Sequence, residues 1–157
     1  MLYIASNGDD TTGNGSQGKP YATIEAAVNS ITGGEKTALI LGTGSFVGYD
    51  LPEYVSLFGQ GIGLTSVTGT WVAARPQVIE NLDLSAGVVT IAGSCAITNV
   101  WSAANLLINI PGANTGIQAY NVDINPSSGV PLTIQSCKEF IFNSGSIVSV
   151  SYTHLTL

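Results

Sequence analysis

The spacing of apolar residues along the chain changes once, near residue 34. Before that point, the segment "YATIEAAVNSITGG" places four apolar residues at intervals of three and four, which is the spacing of one helix face. They are Ile24, Ala27, Val28 and Ile31. Thr23 is suited to cap the start of this helix, Glu25 lies in its first turn, and Gly33 can end it. The pattern predicts one short amphipathic helix.

Beyond residue 36, short apolar runs alternate with turn-forming residues, which is typical of β-strands. The runs are "TALIL", "YVSLFG", "TSVTG", "VVTIAG", "LLINI", "PLTIQS", "FIFN" and "SIVSV". No second helical pattern interrupts them. Ahead of the helix, residues 6–18 are so rich in Gly, Asn, Asp, Ser and Thr that they predict a loop. We therefore predict an all-β fold with one small helix near its start.

Four of the later segments form an internal repeat. The segments "VIENLDLS", "AITNVWSA", "QAYNVDIN" and "FIFNSGSI" align on four asparagines at intervals of 18, 22 and 22 residues, namely Asn81, Asn99, Asn121 and Asn143. The residues two positions earlier are Ile79, Ile97, Ala119 and Ile141. Asparagine tolerates the left-handed backbone conformation of a corner, and stacked asparagines can bond to one another as a ladder. Each repeat is therefore predicted to be one coil of a parallel β-solenoid.

The leucine-rich repeat has an overlapping period and is the main alternative. The chain lacks its leucine density, and each asparagine precedes the apolar position of the repeat instead of following the apolar run. Both observations favour the β-solenoid.

The beginning of the chain resembles a known family. The lead-in "YIASNGDDTTGNGSQGKPYATIEAAVNSI", followed by "ALILGTGSF" and "LPEYVSLFGQGIGLTSVTG", is similar to the opening of right-handed parallel β-helix proteins of the pectate-lyase-like superfamily. That superfamily includes many phage tailspikes and secreted polysaccharide lyases and hydrolases. The pattern covers residues 3–69 closely, and the asparagine repeat extends it to about residue 145. The resemblance implies a right-handed parallel β-helix of about five coils, with the small helix covering its open N-terminal end.

The final eight residues, "VSYTHLTL", match the translated reverse complement of part of an adapter used in transposase-based sequencing libraries. Such a match favours read-through over a genuine terminal strand. The expected organisation is an N-terminal loop and capping helix over 1–36, β-helix coils over 37–149 and non-native sequence over 150–157. The β-helix is then expected to be truncated at its C-terminal end. His154, the only histidine, accordingly receives no catalytic role.

Composition and charge narrow the possible partners. Only 9% of residues are charged, against about 25% in an average soluble domain. The net charge is -6, and the four cations (Lys19, Lys36, Arg75 and Lys138) form no cluster, which argues against nucleic-acid binding. No apolar run approaches the roughly 20 residues of a membrane span. The composition is typical of an extracellular or virion protein, although the opening segment shows no secretory signal.

Several short motifs suggest chemistry but have simpler interpretations. "ALILGTGSFVG" and "GQGIG" resemble nucleotide-binding loops, yet no helix follows to hold a phosphate, so we interpret both as solenoid corners. "NGDDTTGNG" could offer oxygen ligands to Ca²⁺, but it lacks the spacing of an EF-hand, and a capping loop is favoured. No cofactor is expected. Cys95 and Cys137 should lie about two coils apart, beyond the roughly 7 Å reach of a disulfide, and are predicted to be buried thiols.

The repeat also predicts which side chains face outward. Alternation about each asparagine directs one polar and aromatic set to solvent: Glu80, Asp83, Thr98, Trp101, Tyr120 and Asp123. Asp83 and Asp123 would stand roughly 9–10 Å apart, at the upper end of the spacing of an inverting glycosidase pair. We therefore predict a carbohydrate-binding face made by Glu80, Asp83, Trp101, Tyr120 and Asp123. Asp83 and Asp123 are weaker candidates for a catalytic pair.

Three functions remain open at this point. The first is recognition of a polysaccharide or cell-surface glycan by an extracellular or virion-surface protein of the tailspike or secreted polysaccharide-active type. The second is a non-catalytic stalk or adhesin module. The third is a polysaccharide lyase or glycoside hydrolase whose site is partly lost by truncation. The resemblance alone also implies a homotrimer, as in many tailspike-like β-helices.

Overall fold

The computed structural model describes residues 1–110, 116–125, 132–137, 139–147 and 150–152. These residues form one helix and fifteen strands, and the helix, α1, spans Ile24–Asn29. The fifteen strands are β1 (Leu2–Ile4), β2 (Thr37–Leu41), β3 (Gly44–Val47), β4 (Val55–Phe58), β5 (Thr65–Thr68), β6 (Trp71–Ala73), β7 (Val78–Ala86), β8 (Val88–Ile91), β9 (Cys95–Ser102), β10 (Asn105–Asn109), β11 (Gly116–Ile124), β12 (Leu132–Ser136), β13 (Glu139–Phe142), β14 (Gly145–Ile147) and β15 (Val150–Tyr152).

The strands stack in three parallel rows. The first row runs β1-β2-β4-β7-β9-β11-β13, and another runs β6-β8-β10-β12-β15. Between them, β3 pairs with β5, β5 with the second half of β7, and β14 with the second half of β11. The chain thus passes from row to row and returns one layer further along, which makes a parallel β-solenoid of about five coils. The predicted fold class is confirmed, and the leucine-rich alternative is wrong because the described coils are built of strands alone.

Asparagine makes the corner inside the three longest strands. Asn81, Asn99 and Asn121 lie in the middle of β7, β9 and β11, and their φ angles are 59°, 53° and 52°. Asparagine is one of the few non-glycine residues found readily in this left-handed region. The bend lets one strand contribute its first half to one row and its second half to the next.

The core fills the interior of the coils. The apolar residue two positions before each corner asparagine and the one directly after it point inward. Each is at most 3% exposed. These residues are Ile79 and Leu82, Ile97 and Val100, and Ala119 and Val122. Between them lie outward positions, as the alternation of a strand requires. The inward and outward assignments of the sequence are correct for these three coils.

Helix α1 is shorter than the sequence predicts. Thr23 caps its N-terminus by accepting a hydrogen bond from the Ala26 N–H at 3.1 Å, as expected. The helix ends at Asn29, and the Ser30 hydroxyl donates to the Ala27 carbonyl at 2.7 Å, so Gly33 lies beyond the end that it was predicted to make. The helix packs against β1, the first strand of its row, and therefore covers the start of the solenoid.

Asp10 ties the N-terminal loop to the start of the helix, and Asp9 holds the loop itself. Asp10 accepts hydrogen bonds from the Ala22 and Thr23 N–H groups at 2.7 and 3.0 Å and from the Thr23 hydroxyl at 2.8 Å. The N–H groups of Thr12 and Thr11 lower the pKa of Asp9 by stabilising its carboxylate. These contacts support the capping-loop interpretation, and the described residues include no group of three or more His, Cys, Asp or Glu able to hold a metal.

Both cysteines are buried free thiols, as predicted. Cys95 is 5% and Cys137 2% exposed. Burial raises the pKa of Cys95 to about 12, against which a backbone hydrogen bond from Ile79 acts weakly. The unfolded chain loses this proton near the ordinary pKa of 9.0. In the interval between these two values, the unfolded state therefore binds fewer protons than the folded state.

Cys95 should consequently make the protein less stable as the pH rises from about 9 to about 12. The expected slope approaches about 1.4 kcal/mol of unfolding free energy per pH unit at full effect. Urea unfolding of the wild type and of Cys95→Ala at several pH values would measure it. The wild type should lose stability more steeply than the variant above pH 9, and parallel curves would contradict the buried thiol.

The remaining sequence predictions have mixed outcomes. The two glycine-rich motifs lie at solenoid corners, as expected: the first spans the bend between β2 and β3, and the second lies in the turn between β4 and β5. Strands β1, β3 and β6 were not predicted. His154 and residues 153–157 lie outside the described part of the chain. The first three residues of the 150–157 segment form β15, which pairs with β12, and the adapter origin of that segment stays a prediction.

Within the described residues, the single helix is far too short to cross a membrane.

Candidate functional site

The asparagine ladder runs along one corner of the solenoid. Asn99 Nδ2 donates to Asn81 Oδ1 at 2.7 Å, and Asn121 Nδ2 donates to Asn99 Oδ1 at the same distance. Each amide thus links adjacent coils. Because both partners of each bond also hold a left-handed backbone, the ladder fixes the register of the strand halves on either side.

Asn143 does not belong to this ladder, contrary to the sequence alignment. Ala119 pairs with Phe142 and Val122 with Gly145, which places Ser144 opposite Asn121. The Ser144 hydroxyl accepts a hydrogen bond from the Asn121 N–H at 2.8 Å. Phe142 therefore takes the inward position that the alignment gave to Ile141, and it packs partly buried against the core.

Two columns of outward side chains flank the ladder. The post-bend column follows the asparagine corner and, by strand register, reads Ser45, Ser66, Asp83, Trp101, Asp123 and Ser146. The pre-bend column precedes the corner and reads Phe58, Glu80, Thr98 and Tyr120. The structure thus places all five predicted site residues next to the ladder. They are divided between the two faces that meet there.

The aromatic members of the two columns are exposed. Trp101 is 37% and Tyr120 42% accessible. Trp101 is paired on both sides in its sheet, with Asp83 and Asp123, and Tyr120 is paired with Thr98 on the preceding coil. Trp101 lies directly between Asp83 and Asp123 in register. A rigid strand with an exposed indole between two carboxylates presents a flat apolar surface with hydrogen-bond acceptors on either side.

The two aspartates are held by hydrogen bonds. Asp83 Oδ2 accepts from the Gly63 N–H at 2.9 Å, and its Oδ1 is buried without a partner among the described residues. Asp123 Oδ1 accepts from the Ser146 hydroxyl at 2.6 Å. Two layers separate these carboxylates, so roughly 9–10 Å lies between their backbones. One hydrogen bond thus fixes each carboxylate in position beside Trp101.

Glu80 is tied to the ladder instead of to a partner in its own column. Its Oε1 lies 3.3 Å from Asn81 Nδ2, the first amide of the ladder. Glu80 is therefore placed beside the corner, with Thr98 and then Tyr120 in the next two layers.

A polar cleft lies beside the pre-bend column and was not found from the sequence. It encloses about 380 Å³ at the beginnings of β9, β11 and β13, and Gln77, Gln118 and Glu139 are among its lining residues. The Tyr120 hydroxyl lies 3.5 Å from Gln118 Oε1, so this ring leans toward the cleft. Gln118 lies two residues before Tyr120 on the same outward face. Alternation along the strand could therefore have placed Gln118 beside Tyr120 from the sequence alone.

Comparisons of the chain with protein-family models, curated proteins and solved structures give no match. The described side chains themselves define what this surface can bind. It offers two exposed rings, anchored carboxylates and amide groups, arranged along the solenoid axis. These are groups that contact both the apolar faces and the hydroxyls of a hydroxyl-rich molecule.

Proposed function

We propose that this chain is a carbohydrate-recognising β-solenoid. The observation that carries the proposal is the register of Asp83, Trp101 and Asp123 on three successive coils, with Trp101 exposed between the carboxylates. A sugar ring can stack on the indole while its hydroxyls donate to Asp123 and to Oδ2 of Asp83. Tyr120 supplies a second ring on the adjoining face.

The wider setting is part of the same proposal. The resemblance of the N-terminal region favours a tailspike or secreted polysaccharide-active protein, acting on a virion surface or outside the cell. The charge supports a glycan partner over nucleic acid, because a chain of net charge -6 repels a phosphate backbone. The expected partner is a polysaccharide or cell-surface glycan.

The hydrogen bonds of the two aspartates favour binding over hydrolysis. A general acid must hold a transferable proton at the scissile bond, whereas Asp83 is bonded to a backbone N–H and partly enclosed. We therefore give Asp123 the role of an acceptor for sugar hydroxyls, and Asp83 the same role only through Oδ2, since its Oδ1 is buried. A stalk function without any ligand is the alternative that the following experiment separates.

Replacing Trp101 by alanine should weaken glycan binding at least about tenfold, because stacked aromatic anchors dominate such interfaces. Affinity electrophoresis through gels containing a panel of neutral polysaccharides would measure it as lost retardation. Val72→Ala is the matched control, since Val72 has the same 37% exposure but lies on β6 in a different row. If no polysaccharide retards the wild type, or if both variants bind like the wild type, the proposal is wrong.

A further inference from the structure

Two of the four cationic residues of the chain lie in the first coils, one layer to either side of Tyr54. The Tyr54 carbonyl accepts a hydrogen bond from the Thr37 N–H, and the Tyr54 N–H donates to the Arg75 carbonyl, each at 3.0 Å. These bonds stack the segments that carry Lys36, Tyr54 and Arg75 in three successive layers. The Arg75 guanidinium lies over the Tyr54 ring, 5.7 Å from its centre.

A pocket of about 200 Å³ opens at this place. Its lining includes Lys36, Tyr54, Ser56 and Gln77. The Ser56 hydroxyl oxygen accepts a hydrogen bond from the Val78 N–H at 3.2 Å, which leaves the hydroxyl hydrogen available for donation. The side-chain amide of Gln77 and the ammonium of Lys36 are further donors. Arg75 does not line the pocket, but its guanidinium lies over the ring of Tyr54, which does. Glu35 and Glu53 are neighbours in the chain and do not line the pocket either.

Tyr54 is held in an unfavourable backbone conformation. Its φ angle is 66°, a region that bulky L-residues rarely enter. Local preference does not place this ring under the guanidinium, so the hydrogen bonds to Thr37 and Arg75 must hold it there. Strained residues of this kind concentrate at ligand sites. Here the strain fixes an aromatic wall of the pocket, with the Arg75 guanidinium over its ring.

We propose that this pocket binds an oxyanion, a carboxylate or sulfate group, through Lys36, Gln77 and Ser56, with the Arg75 guanidinium beside it over the Tyr54 ring. In a chain of net charge -6, a local convergence of cations and neutral donors is the place where an anion is best accommodated. Arginine stacked on a ring keeps its planar fork oriented for such a group. Glu139 lines the far end of the neighbouring cleft, so an anion is disfavoured there.

The pocket adjoins the proposed glycan surface. Gln77 lines both this pocket and the polar cleft that Tyr120 leans toward. The assignment of the oxyanion to an acidic sugar of a bound glycan rests on the proposed function. The binding of the oxyanion itself does not, and the two can fail separately.

Backbone NMR titration of the full chain tests the pocket directly. Glucuronate and inorganic sulfate are the probes, and glucose is the neutral comparison. Both anions, or one of them, should give saturable shifts of the Thr37, Ser56 and Gln77 amides, weakened by added salt. Arg75→Gln and Lys36→Gln should each reduce the apparent affinity about fivefold. Lys19→Gln changes the net charge equally on the exposed N-terminal loop and should leave the affinity unchanged.

The outcomes separate the two proposals. Saturation by glucuronate alone assigns a carboxylate, and saturation by sulfate alone assigns a sulfate group. If neither anion shifts these amides, or if Lys19→Gln weakens binding as much as Arg75→Gln, the pocket is not an oxyanion site. If the anions bind but Trp101→Ala does not alter retention on neutral polysaccharides, the pocket stands and the glycan surface fails.

Discussion

Replacing Trp71 by alanine is expected to cost about 3–5 kcal/mol of unfolding free energy, the usual range for removing a large aromatic side chain from a core. Trp71 lies on β6 and is 2% exposed. It also packs against Gly48 so closely that a Cβ placed on that glycine would overlap the indole. Urea unfolding followed by far-UV circular dichroism measures the change.

Two companion variants separate packing from other causes. Trp71→Phe should cost much less than alanine, because it keeps most of the apolar contact and removes an indole N–H that has no partner among the described residues. Gly48→Ala should destabilise the wild type but have little effect beside Trp71→Ala, since the overlap is then gone. An unfolding midpoint of Trp71→Ala equal to that of the wild type would refute the buried position.

Asn99→Ala should cost about 3–4 kcal/mol of unfolding free energy. The change removes both ladder bonds of the central asparagine, at about 1 kcal/mol each, and forces alanine into a left-handed conformation at about 1–2 kcal/mol. Asn99→Gly should recover the cost of the left-handed conformation, which glycine adopts freely, but not the two lost hydrogen bonds. Urea midpoints of both variants provide the comparison.

Asn143→Ala is the matched control for the ladder. Asn143 is exposed and lies one residue short of the ladder position, so its replacement should change stability by less than about 0.5 kcal/mol. Equal losses at positions 99 and 143 would show that the alignment on Asn143 is right and that the register described here is wrong.

The coils were predictable where the sequence repeats a backbone requirement. The left-handed corner selects asparagine at positions 81, 99 and 121, and alternation from each corner then assigns the inward and outward residues. That is enough to place Asp83, Trp101 and Asp123 in one column. This assignment of faces depends on the position of the corner asparagine and not on the number of residues in the coil.

The alignment failed where a coil differs in length. The step from Asn121 to its structural partner Ser144 is 23 residues, and the nearest asparagine lies one residue earlier. A shift of one residue exchanges the two faces of a strand. Ile141 was therefore assigned inward in place of Phe142, although Phe140 and Phe142, which stack with ring centres 6.5 Å apart, fit the core by alternation.

The oxyanion pocket could not be predicted, because its members are unrelated by any repeat. Arg75 lies in a turn and Lys36 in the segment between α1 and β2. Only the stacking of the first coils brings them together across Tyr54. The strained φ of Tyr54 has no sequence signal, since tyrosine is not a residue that favours this conformation.

Acrylamide quenching of tryptophan fluorescence tests the central proposal, that Trp101 stands on a glycan-binding surface. The chain has two tryptophans, and only Trp101 is substantially exposed, so quenching of the free protein reports chiefly on Trp101. In a screen of neutral and acidic polysaccharides, at least one should reduce wild-type quenching to the level of Trp101→Phe and leave that variant unchanged. If every polysaccharide leaves wild-type quenching unaltered, Trp101 contacts no glycan and the proposed function is contradicted.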